Sequence, residues 1–339
     1  MSDAYPQLLR TPRRAWWKPI IGLCLAVFTL IVSAVAIVFA IGGVGALLGV
    51  DDPFSDKALS PDVPLGLLAT NLSIAMIVPS VLVAVLVVHR ERPGWLASVV
   101  GRLRWGLLAR LFGIALALAV VFFVITFAVP PVGIGDLHPP PASRLTGLLV
   151  VIALTTPLQA AGEEFGFRGY LTQAICSWLN RPEVATVVAG LVTAGLFALA
   201  HGTQDPWLFS DRLAFGLVAS WLAWRTGGLE APIALHAANN LVSLGYSAVE
   251  GTLSESLNAS SVDWQYVVLD VAMMLVFAVT APRLADRWQL TVRRAAPALD
   301  VQPPAAGPGV LSGPPAVGYP EPRSDSPSYG VQSEVPRED

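Results

Sequence analysis

The sequence predicts an all-α fold: a polytopic membrane bundle of about eight transmembrane helices, followed by a disordered C-terminal tail. Three observations lead there. Only 13% of the 339 residues are charged and 54% are hydrophobic, whereas a soluble domain carries about 25% charged residues. Uncharged apolar runs long enough to cross a bilayer recur along the chain. The loops between them alternate between basic and non-basic.

Residues 1–18 form a basic N-terminal segment with Arg10, Arg13, Arg14 and Lys18. Residues 20–50 then carry no charge. This run is far longer than the roughly 7–15 residues of a signal-peptide core, so it reads as a retained first helix. The loop at 51–62 holds Asp51, Asp52, Asp56 and Asp62 against Lys57. A second span follows at 63–88. The stretch 90–110 is basic, with Arg90, Arg92, Arg102, Arg104 and Arg110. Within it, 92–106 mixes tryptophans with arginines and predicts a short interfacial helix on the cytoplasmic surface. A third span at 107–129 completes an N-terminal transmembrane region, 19–142.

The second region, 143–290, holds spans at 146–179, 184–204, 207–224, 231–249 and 264–282. At about 1.5 Å per residue the first of these would run roughly 50 Å, so it must tilt, kink or protrude. The span at 207–224 is the weakest, because Arg212 and Arg225 leave a short uncharged core. The loop at 250–263 carries Glu250, Glu255 and Asp263 and no base, while Arg283, Arg287, Arg293 and Arg294 follow the last span. The positive-inside rule therefore places both termini in the cytoplasm of a multi-pass cell-membrane protein, as an even span count requires. From about Ala295 to Asp339 the chain is rich in Pro, Gly and Ser and poor in large apolar residues, a composition that predicts disorder.

The net charge of −3 gives no reason to expect a nucleic-acid partner. Cys24 and Cys176 lie in or beside apolar segments without metal-type spacing and read as small hydrophobes. The informative residues are the polar ones inside the spans. Glu163, Glu164 and Arg168 lie in the fourth, His201 ends the fifth, and His236, Asn239 and Asn240 lie in the seventh. Ionisable groups at that depth are costly and mark function by default. Glu164 and Arg168 are i,i+4 with the acid first, the better order for a pair. Glu163 points about 100° away around the helix and remains the free carboxylate. Phe197 and His201 share a face, as do His236 and Asn240. A carboxylate and a histidine around one water make a general base. A second histidine with an asparagine amide makes a donor pair for an oxyanion. Interhelical hydrogen bonding alone is the plainer reading of any one of these residues.

Three motifs stand in order on successive spans: "EEFGFR" fits Glu-Glu-x-x-x-Arg, "FALAH" fits Phe-x-x-x-His, and "HAANN" fits His-x-x-x-Asn. The trio resembles the CAAX protease and bacteriocin-processing (CPBP, or Abi) family of intramembrane proteases over about residues 145–250. The resemblance implies that 143–290 is a catalytic transmembrane domain that hydrolyses a peptide bond of a membrane-associated or lipidated substrate. It implies Glu163 as base on the attacking water with His201, Glu164 held by Arg168, and His236 with Asn240 at the oxyanion. The family has been described both as glutamate-dependent and as metal-dependent. The resemblance thus leaves two cases open: no cofactor, or one zinc ion on Glu163, His201 and His236. No HExxH is present.

Other readings compete. "GIGD" at 133–136 imitates the Gly-x-Gly-Asp of intramembrane aspartyl proteases, with Asp270 in the last span as partner, but Asp136 falls in a proline-flanked loop. Glu163 and Glu164 would also serve a proton- or ion-coupled transporter, although no inverted repeat is visible. A non-catalytic membrane partner protein would use the tail, which has no clean Pro-x-x-Pro ligand flanked by arginines.

Overall fold

A computed structural model describes residues 3–128 and 138–294. The expected disordered tail (295–339) and the "GIGD" stretch lie outside the described residues. Eight long helical segments follow the eight expected spans: α1 (Lys18–Leu47), α2 (Pro64–His89), α3 (Trp105–Thr126), α4 (Ala142–Trp178), α5 (Pro182–Leu199), α6 (Pro206–Thr226), α7 (Glu230–Glu250) and α8 (Trp264–Arg287). Six are long and apolar enough to cross a membrane; α6 and α7 are long enough but too polar to qualify on composition. Several of their polar residues are turned inward, among them Thr226, Glu230, His236 and Ser247. Every residue from Glu230 to Ala238 is buried.

That burial makes α7 the central helix, packed extensively against α3 and α4. Ala231, Ala234, Ala237 and Ala238 keep its surface shallow, so that neighbouring backbones approach closely. One core joins Leu111 and Ala115 of α3, Phe215 and Leu222 of α6, Leu235 of α7 and Phe277 of α8. A second gathers Tyr5, Leu8 and Leu9 with Leu96, Tyr170 and Leu229. Outward faces are apolar: Phe28 of α1, Val124 of α3 and Leu154 of α4 are each about two-thirds exposed, at 64%, 60% and 68%. Such a surface suits lipid, not water.

Two long helices are not regular. The chain of α2 passes from α-helix into a π-turn at Val85–His89. The chain of α4 does so at Phe165–Leu171, directly after Glu164. Pro157 lies about two turns earlier and removes one backbone donor. These irregularities are how the long α4 departs from a straight rod.

The interfacial helix expected at 92–106 is not there. Pro93–Leu96 is one 3-10 turn, α3 starts only at Trp105, and Leu96 to Val99 are buried. Val99 N donates to Gly227 O (2.9 Å) and Leu229 N donates to Ala97 O (2.9 Å), so the segment is strung against the α6–α7 turn. Pro93 and the glycines break the helix: Gly101 has φ +74, and its carbonyl oxygen lies 1.9 Å from where a Cβ on Gly94 would sit.

The N-terminal segment is folded as well. Asp3–Ala4 pairs antiparallel with Arg293–Arg294 (strands β1 and β2). Tyr5 Oη donates to Leu96 O at 2.6 Å. The start of the chain and the end of α8 therefore share one face of the bundle.

Candidate functional site

Glu163 and Glu164 close the regular part of α4, and the π-turn that follows carries Arg168. Arg168 Nη1 donates to Glu164 Oε1 at 3.1 Å, and both side chains are fully buried. The i,i+4 pair read from the sequence is present. The rest of the guanidinium is held by aromatic rings: its Cζ lies 4.4 Å from the Phe197 centroid and 5.4 Å from that of Phe215. Phe197, the first residue of the Phe-x-x-x-His motif, is thus the face on which the buried cation rests. Phe167 and Phe215 pack around it, each 5.3 Å between centroids.

His236 joins the two glutamates. Its Nδ1–H donates to Glu164 Oε1 at 2.8 Å, and its Nε2 lies 3.6 Å from Glu163 Oε2. The ring is clamped between Phe215 (4.8 Å) and Phe197 (6.0 Å). Glu164 is therefore shared by Arg168 and His236, a second link that helical spacing on α4 alone did not reveal.

Glu163 is the partly exposed acid, with 14% of its side chain accessible. Gln159 Nε2 donates to its Oε1 at 2.6 Å, and Asn240 Nδ2 donates in turn to Gln159 Oε1 at 3.2 Å. Glu163 Oε2 has no hydrogen-bond partner among the described residues. So one oxygen is fixed by a relay from α7 through Gln159, and the other is unspent. Asn240 reaches Glu163 through Gln159, and one of its two amide protons is committed there.

His201 follows α5 and is exposed. Its Nδ1–H donates to Phe197 O at 2.8 Å, which fixes the ring and leaves Nε2 unspent. Glu163, Arg212 and His236 are its titratable neighbours. The structure thus brings all six expected residues into one cluster between α4, α5, α6 and α7. Among the described residues no three His, Cys, Asp or Glu side chains are placed to hold a metal ion. Glu163, His201 and His236 do not make a zinc site in this arrangement.

Four further polar residues were not assigned to this cluster by the sequence reading. Gln159 sits four residues before Glu163 on the same face and was legible by spacing. Arg212 and Asp211 lie on the inward stripe of α6 that Leu208 and Phe215 define. Arg212 is an electrostatic neighbour of Glu163 as well as His201. Asp270 of α8 is buried, its two oxygens lack donors, and it lies beside Asp211. Asp270 thus pairs within the bundle with a residue the sequence reading had not considered.

Close packing sets this geometry. A Cβ on Gly162 would fall 2.6 Å from the Ile74 carbonyl oxygen, so only glycine lets α4 lie this near α2. Asn71 Nδ2 donates to Thr155 Oγ1 at 2.9 Å in the same interface.

Residues 145–242 match the family model described as type II CAAX prenyl endopeptidase Rce1-like. Over this segment the chain is similar to that family. The segment runs from α4 into α7 and contains Glu163, Glu164, Arg168, His201, His236 and Asn240. The resemblance read from the three motifs is borne out over it. The chain is also similar to the Uncharacterized protein YyaK of Bacillus subtilis (strain 168), at 33% identity over 106 residues. That alignment covers 30% of this chain and 34% of the relative, so the chain spans about a third of the length of the curated relative it matches. No solved structure matches the chain.

Proposed function

We propose that the protein is an intramembrane endopeptidase that cleaves a peptide bond in a membrane-associated or lipidated peptide or protein. The observation that carries this reading is the unspent Oε2 of Glu163, set 3.6 Å from His236 Nε2 and beside His201. A carboxylate oxygen and an imidazole nitrogen, both unspent and neighbours of one another, are what a water needs to be held and deprotonated. The Rce1-like segment supports the reaction class.

In this mechanism Glu163 takes a proton from the water while His201 Nε2 accepts the water's second hydrogen bond. The water oxygen bonds to the scissile carbonyl carbon, and the carbonyl oxygen becomes the oxyanion. His236, with Nδ1–H spent on Glu164, serves that oxyanion through Nε2 when this nitrogen carries a proton. The remaining amide proton of Asn240 is the second donor. Glu163 then passes its proton to the leaving nitrogen as the C–N bond breaks. Glu164 and Arg168 do not touch substrate; they fix the orientation of His236. Gln159 does the same for Glu163.

The reaction is written without a metal, since the acid and imidazoles already supply base and donors. Turnover should survive exhaustive chelation. Loss of turnover that returns only with added zinc would reassign His201 and His236 as ligands. Reaction class is tested by comparing membrane peptides in cells carrying the wild type or Glu163→Gln: the variant should leave substrates uncut. A change in solute flux with no change in peptides would favour a transporter instead. We assign the face with the β1–β2 pair to the cytoplasm, because Arg10, Arg13, Arg14, Arg293 and Arg294 all lie near it.

A further inference from the structure

A cleft of about 910 Å³ lies between α5 and α6 on the β1–β2 face, and no residue of the three motifs lines it. Its two ends differ in chemistry. At the outer rim are Arg10 and Arg14 of the N-terminal segment and Arg293 of β2. Deeper in, the walls are apolar. Val187 and Leu191 of α5, with Leu217 and Trp221 of α6, line it while keeping 61%, 55%, 38% and 45% of their surface exposed, so the cleft opens onto the lipid-facing side of the bundle. The two helices pack together beneath it: a Cβ on Gly190 would meet Ser220 Cβ at 3.5 Å, and one on Gly216 would meet Ala194 Cα at 2.7 Å.

The rim carries an excess of positive charge. Its acids are Asp3 and Glu183, and Asp3 is already paired with Arg294. Arg10 is held in place by a bond from Nη2 to Asn180 O at 2.9 Å, yet its Nε is buried with no partner. Gln7 ties the same segment to α5 through Pro182 O at 2.9 Å. A positioned guanidinium with an unspent buried donor, flanked by two further arginines, is an anion seat. An apolar trough that leads from it into the bilayer is a seat for a hydrocarbon chain.

We propose that this cleft binds one anionic phospholipid. The phosphate lies on Arg10, Arg14 and Arg293, and one acyl chain lies along the lipid-facing groove of α5 and α6, over Leu191 and Leu217. A free anion would leave the apolar half unused, and a zwitterionic lipid would carry no net charge to offset the three arginines. A lipid seated here would join the N-terminal segment to α5, whose far end carries His201.

The experiment uses the full-length chain in nanodiscs of phosphatidylcholine, with or without phosphatidylglycerol, and in detergent with inorganic phosphate. Native mass spectrometry reads the retained lipid, and thermal unfolding reads its effect. The expected result is one phosphatidylglycerol retained and a raised unfolding temperature, with neither phosphatidylcholine nor inorganic phosphate matching it. Each of Arg10→Gln, Arg14→Gln and Arg293→Gln should weaken retention about fivefold, as roughly 1 kcal/mol per basic residue near an anionic surface implies. Leu217→Trp, which fills the trough and leaves the charges alone, should weaken it too. Circular dichroism and size exclusion establish that each variant is folded, and the wild-type comparison decides even where one is not. Equal stabilisation by phosphatidylcholine, full reproduction of the shift by inorganic phosphate, or undiminished retention in the folded variants would each overturn the proposal.

Discussion

Glu163 and Glu164 are adjacent, chemically identical and differently employed. Glu164 is buried beneath Arg168 and His236 and has no route to substrate. Glu163 keeps one oxygen unspent. Glu163→Gln should therefore abolish turnover, by a factor of at least about 10² if a general base is lost, with thermal unfolding close to that of the wild type. Glu164→Gln should lose turnover and stability together, by about 3–5 kcal/mol, because it strands a buried arginine. Parallel assays of cleavage and unfolding separate the two; equal stability losses would contradict the division. The sequence reading reached this pair because charges inside an apolar run are visible without a structure. It stopped short of Gln159 and Asn240 as a relay and of His236 as the second ligand of Glu164. Those links cross from α4 to α7, and spacing along one helix says nothing about which face of the next it meets.

Among the helices, the close approach of α2 and α4 decides where the acids sit. Gly162→Ala would place a methyl carbon against the Ile74 carbonyl, and the backbone must move to admit it. The expected cost is about 1–3 kcal/mol, with turnover lost because Glu163 is the next residue. A folded, fully active Gly162→Ala would show that the interface yields elsewhere. On the opposite face the loops are stitched by Asp62. Ser254 N donates to its Oδ1 at 2.9 Å, and Ser60 Oγ donates to its Oδ2 at 3.3 Å. Partial burial pushes this carboxyl's pKa up. Bonds from Ser254 and Ser60, with the charge of Arg144, outweigh that and hold it below its ordinary value. A depressed folded-state pKa stabilises above the ordinary carboxylate range and loses that contribution as pH falls through the lowered value. Asp62→Asn should thus lower the unfolding temperature at neutral pH, and the gap from wild type should close in acid. A gap that stays constant with pH would remove the carboxylate from the explanation. The misreading of 92–106 has a similar local cause. Its Trp and Arg content suits an interfacial helix, but Pro93, Gly94 and Gly101 set the backbone, and the backbone pairs with the α6–α7 turn.

For the whole molecule, hydropathy and loop charge disclosed the order and approximate limits of the eight long helices. They did not disclose that α7, among the most polar of them, would be central. Polar residues lower a helix's apparent fitness to span, yet here they are what the neighbouring helices enclose. Asp211 and Arg212 were left out of the cluster for the same reason, since a charge near a helix end looks like a surface charge until a partner is seen across the interface. Truncation after Arg294 keeps every described helix and the β1–β2 pair. Insertion and turnover should be unchanged, and a truncated chain that inserts but no longer cleaves would assign the residues after it a part in the reaction.

The pairing of Asp3–Ala4 with Arg293–Arg294 also imposes an order in time. The side chains of Asp3 and Arg294 meet although 291 positions separate them. At about 5–20 residues per second, a ribosome needs on the order of tens of seconds to travel that distance. The first residues can reach Leu96 early, through Tyr5, but they cannot be fastened until nearly all of the helical chain has been made. Closing so long a loop is entropically unrewarded until its contacts form, so the clasp belongs to the last steps of assembly. A chain released before Arg294 would carry every residue proposed as catalytic and still have an unfastened beginning. The clasp thus marks a chain whose eight long helices have all been made.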